Sequence, residues 1–124
     1  MAIKNIHIAM GSLAYAIAKA DGEIQEEEKS TIKKLAQKEF ELSDSDNEWI
    51  SSMFNRLEKD EISLDEAYTF AIDTLDANRH DYDFTDSVKM KCVKFMEKVS
   101  ESFDGISGEE RQIIDRFKGD MNRF

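Results

Sequence analysis

No proline interrupts the 124 residues, glycine occurs only five times, and there is one cysteine. The lone Cys92 excludes an internal disulfide and any paired-cysteine zinc site. It suits a reducing compartment, and a cytoplasmic location is the expectation. No apolar run approaches the roughly 18 residues of a membrane-crossing helix, so direct membrane insertion is not expected. Cations are also scarce: 17 Lys and Arg stand against 27 Asp and Glu, for a formal charge of −10. Phosphate backbones and anionic lipid both require clustered cations, so neither nucleic acid nor a lipid surface is an expected partner. A metal ion or a basic protein surface is electrostatically easier to hold.

The short motifs of common enzymes are missing as well. There is no phosphate-cradling glycine loop, no serine nucleophile elbow and no HExxH. Cys92 falls on an apolar stripe and reads as a small buried hydrophobe rather than a nucleophile. The expectation is a protein that is not an enzyme.

With 40% hydrophobic and 35% charged residues, the chain has the balance of a globular domain. Its length suits one unit over residues 1–124, large enough to bury a core without staples. Apolar spacing is of the three-four kind almost throughout, which predicts an all-α bundle of about six or seven helices.

The first helix is expected from about Ile3 to Ala20, with Ile6, Met10, Leu13 and Ile17 on one stripe and alanines allowing close packing. The same residues carry a weak likeness to a signal peptide, but they also lead directly into a turn, and the helix is the expectation. A second helix starts near Gln25 or Glu26 with an acidic first turn. A third follows Ser43 to Asp46 and carries Ile50, Met53, Phe54 and Leu57. Ser63 and Glu66 form a capping box for a fourth. A polar loop spans Asp76 to Asp83. A fifth helix runs from Thr85 to Phe103, with Val88, Cys92, Phe95 and Val99 inward. The sixth, after Ser107 to Glu110, carries Ile113, Ile114, Phe117 and Met121.

Two acidic turns punctuate this pattern. Ala20-Asp21-Gly22-Glu23-Ile24 leads to Glu28, and Phe103-Asp104-Gly105-Ile106 leads to Glu110. Aligning Glu28 with Glu110 pairs Ile32 with Ile114 and Leu35 with Phe117, so the chain reads as two related Asp-Gly helix-turn-helix ends. The spacing invites comparison with the second half of an EF-hand loop, where glycine holds position 6 and a bidentate Glu position 12. Gly22 and Glu28 satisfy it, but positions 1 and 3 become Ile17 and Lys19, which are not ligands. The second copy puts Arg111 at position 12. A calcium EF-hand is therefore not expected in either copy.

Ala20-Asp21-Gly22, Ile24 and Glu28, followed by Asp104, Gly105, Ile106 and Glu110, resemble the TerB-like family, named for bacterial tellurite resistance. The second copy departs from the pattern with Phe103 in place of alanine and a loop one residue shorter. The resemblance implies a compact helical bundle and a divalent-metal site built from acidic residues. It also implies an association with stress response and membrane-linked complexes; similar domains stand at the N-terminus of membrane-anchored J-domain co-chaperones.

Two readings of the residues stay open. In one, Asp21, Glu28, Asp104 and Glu110 converge and bind a divalent cation, calcium or another hard ion. In the other these carboxylates are helix caps and first-turn residues, favoured by the macrodipole without any ion. Asp76, His80, Asp81, Asp83 and Asp86 form a second acidic group that reads as a solvated loop. The function classes are accordingly an ion-linked stress-response module working with a protein partner, and a metal-independent interaction domain. The latter would use a surface around Trp49, Phe54, Tyr68 and Phe70.

Overall fold

Between Lys4 and Lys19 the sequence has no Asp, Glu, Lys or Arg. A helix so poor in charge has no face suited to water along its length and must be enclosed. The structure, a computed structural model, describes residues 2–20, 26–41, 44–102 and 108–124, and at residues 2, 3, 44–47, 49, 109 and 110 the backbone alone. It consists of six α-helices: α1 (Ala2–Ala20), α2 (Glu26–Phe40), α3 (Asp44–Lys59), α4 (Leu64–Ala77), α5 (Asp86–Ser102) and α6 (Gly108–Arg123). Among the described residues there is no strand.

Helix α1 is the axis. It packs mainly on α4 and α3 and also touches α5 and α6, while α2 lies against α5 and α3. Every residue from Ala9 to Ala18 is buried. The single stripe expected from Ile6, Met10, Leu13 and Ile17 is therefore an understatement: alanines and Ser12 bury the remaining sides because other helices surround them. The stretch with a weak likeness to a signal peptide is thus the centre of the core.

One position lets α3 come this close. A Cβ on Gly11 would stand 2.5 Å from the carbonyl oxygen of Ile50 and 3.1 Å from Cβ of Met53. Buried polar groups are matched across the same interfaces, as burial requires. Ser12 Oγ donates to the carbonyl of Ala67 at 2.7 Å, and the Tyr15 hydroxyl donates to that of Ile62 at 2.6 Å.

The helix ends follow local chemistry. Ser63 Oγ accepts from Glu66 N–H at 3.2 Å and starts α4, and Thr85 Oγ1 accepts from Val88 N–H at 3.2 Å ahead of α5. Helix α3 ends in a Schellman arrangement, with Ile62 N–H bonded to the Leu57 carbonyl at 3.1 Å and Glu61 N–H to that of Glu58 at 3.2 Å. Glu61 takes φ of 52° there, a conformation in which glycine is the usual occupant. Helix α2 is pinned by Phe40, whose ring lies 5.7 Å from His7 and 5.6 Å from Phe95. Lys98 pairs with the shielded Glu39 at 2.8 Å.

Gly11→Ala should lower stability by about 1–3 kcal/mol, because the added methyl meets backbone rather than a movable side-chain tip. Gly119→Ala, whose Cβ would meet nothing within 4 Å, should instead be neutral or add up to about 1 kcal/mol through helix propensity. Urea midpoints of the two variants check both. Glu61→Gly should raise stability by about 0.5–1 kcal/mol by relieving the left-handed backbone, read as a higher melting temperature.

Candidate functional site

In sequence the acidic turns fall between α1 and α2 and between α5 and α6. Tyr15, in the second half of α1, bonds to Ile62, one residue before the cap of α4. Lys29, in the first turns of α2, pairs with Glu58 near the end of α3 at 2.5 Å. At the start of α6, Gln112, Ile113 and Arg116 line a small cleft with Leu64 and Asp65 of α4. The end of α1, the start of α2 and the start of α6 therefore all run toward the end of the bundle where α4 begins.

Glu28 sits on that end. Glu26 and Glu27 are exposed, but Glu28 is half-buried and its Oε2 is closed off from solvent. Its place in the first turn of α2 suits a carboxylate electrostatically. Asp21 and Asp104 lie outside the described residues, as do Gly22, Gly105 and the side chain of Glu110. Of the four candidate ligands, Glu28 is the one whose side chain is described.

The second acidic group does not gather. Asp76 pairs with Arg79 at 3.4 Å, Asp86 lies 3.8 Å from Lys89, and Asp81 Oδ1 accepts from the Asp83 N–H at 2.9 Å. Among the described residues no three His, Cys, Asp or Glu side chains form a group able to hold a metal ion.

The expected aromatic interaction surface is corrected. Phe54 and Tyr68 are 3% and 1% exposed. Phe54 packs edge-on to Tyr15 with ring centroids 5.7 Å apart. The Tyr68 hydroxyl donates to Asp120 Oδ2 at 2.6 Å, and Arg116 covers its ring at 4.2 Å. Both residues stand on apolar stripes that other helices cover, which leaves Phe70 exposed; the Trp49 side chain lies outside the description. The clasp of Tyr68, Asp120 and Arg116 was not legible beforehand, because its members are far apart in the chain and no spacing links them.

The family model described as tellurite resistance protein TerB matches residues 7–119. The chain belongs to the TerB family. No curated protein and no solved structure matches it. The TerB match runs from the first turns of α1 into α6, so both acidic turns fall inside it. Among the described residues no helix is long and apolar enough to cross a membrane.

Three acidic hydrogens are held by the TerB core. Burial pushes the Cys92 thiol up to about 12. Burial, followed by the bond to Asp120, pushes the Tyr68 phenol upward, and burial with the nearby Glu58 and Glu61 raises Tyr15. Each group stays protonated in the fold at a pH where the unfolded chain has released its proton. The stability each contributes is complete below its unfolded pKa and is lost as pH rises toward the folded value. Stability should therefore hold up to about pH 8.5 and then fall with a slope approaching 1.4 kcal/mol per pH unit for Cys92, the phenols adding to it above about pH 10. Urea midpoints from pH 8 to 11 measure this, and Cys92→Ala should flatten the first part of the decline.

Proposed function

We propose that this TerB-family chain is a non-catalytic stress-response module of the cytoplasm that binds a hard divalent cation and acts within a protein complex. Asp21, Glu28, Asp104 and Glu110 are its ligands, calcium being one suitable ion. The observation that carries this reading is the shielded Glu28 Oε2 in the first turn of α2, at the end of the bundle where α1 closes and α6 begins. A carboxylate oxygen kept from water suits a cation that takes oxygen ligands, and the carboxylates of Asp21, Asp104 and Glu110 would supply the rest. An ion held this way would clamp α1–α2 to α5–α6, so that its binding could be read by a partner as a change in rigidity. The non-catalytic part is supported by the complete burial of Cys92, whose raised thiol is a poor nucleophile. A metal-independent interaction domain is the second reading, favoured by an exposed groove on α5 that requires no ion.

Calorimetric titration with calcium, magnesium, manganese and zinc tests the proposal. Saturable binding with a micromolar Kd is expected for at least one ion, and loss of that binding in the double variant Asp21→Asn, Asp104→Asn. At a hundredfold excess over Kd the ion should stabilise the fold by about 2.7 kcal/mol. No heat with any ion, together with identical melting with and without EDTA, would leave the turns as helix caps and sink the cation reading.

A further inference from the structure

Helix α5 has a second face. Cys92, Phe95, Met96 and Val99 enter the core. Asp86, Lys89, Met90, Val93, Lys94 and Glu97 form a separate outward row at helical spacing, lining a groove of about 600 Å³. Lys118, Met121 and Phe124 make its other wall. The row covers three helical turns, about 16 Å at 1.5 Å per residue.

Met90 is 62% exposed, and Val93 beside it is only half-buried. In a chain of net charge −10, this groove gathers Lys89, Lys94 and Lys118 against Asp86 and Glu97. Lys118 reaches Glu97 at 3.6 Å, and Lys89 is engaged by the Phe124 carbonyl at 2.7 Å and lies 3.8 Å from Asp86. No carboxylate lies within ion-pair distance of the exposed Lys94 among the described residues.

We propose that the α5–α6 groove docks an amphipathic helix of another protein, with apolar residues at helical spacing and acidic residues on its flanks. The three-turn length, the apolar floor and the lysine rim are those of a helix-in-groove site, and methionine adapts its shape to the residue it meets. Lys94, whose charge no carboxylate of the groove neutralises, favours an acidic partner, which a surface of net charge −10 would otherwise repel. This deepens the complex-forming half of the proposed function and makes no use of the cation.

The test is fluorescence anisotropy of the full chain with a labelled peptide of about 14 residues, leucines on one helical face and glutamates flanking them. EDTA is present throughout, so a failed cation titration leaves this result standing. Saturable binding with Kd of about 10 μM is expected. Lys94→Glu and Met90→Glu should each weaken it at least about tenfold. Both side chains are exposed, and circular dichroism melts should confirm that both variants fold. A peptide with lysine in place of every glutamate should bind at least about tenfold more weakly. Absence of saturable binding, equal binding of the lysine peptide, or an unchanged Kd in both variants would overturn the proposal. So would a homodimer in sedimentation that Met90→Glu dissolves, which would assign the groove to a second copy.

Discussion

The enclosure of α1 is the constraint on which the bundle depends. A segment of alanine, leucine, isoleucine and methionine with no Asp, Glu, Lys or Arg between Lys4 and Lys19 is stable in water only if neighbours cover it on every side. That demand brings α3, α4, α5 and α6 around one axis. It also explains why Gly11 stands against α3, where a side chain would meet the backbone of Ile50. The polar atoms carried into the interior, such as the Ser12 hydroxyl, reach carbonyls of the surrounding helices and so impose no orphaned-group penalty.

The candidate ion site inherits its geometry from that arrangement. The close of α1 and the openings of α2 and α6 lie toward the end of the bundle where α4 begins. Carboxylates placed at helix starts are favoured there with or without a ligand. What distinguishes Glu28 from its neighbours Glu26 and Glu27 is burial rather than charge. The groove on α5 is a consequence of the same packing seen from outside. A helix that turns Cys92 and Phe95 inward has its opposite side available, and here that side mixes lysine with Met90 instead of being uniformly polar.

Much of the fold was legible because helix periodicity and caps are local. The start of α2 at Glu26, the Ser63 cap of α4 and the start of α5 near Thr85 each depend on side chains within a few residues of the backbone they serve. The buried residues of α3 and α6 likewise follow from their spacing. Glu61 was less legible, since its positive φ comes from the Schellman closure rather than from its identity. Of the candidate site, the pattern of acidic turns and the family could be read directly, whereas the burial of Glu28 could not.

The sequence by itself determined the helical class, the approximate order of the helices, the family and the residues worth testing as ligands, because periodicity, capping and motif are written over short distances. Tertiary structure alone decided that α1 is buried all round, that Tyr68 belongs to a clasp with Asp120 and Arg116, and that Met90 rather than Phe54 faces outward. Those outcomes depend on which helix covers which face. Covering is set by the joint packing of residues far apart in the chain, and no local spacing encodes it.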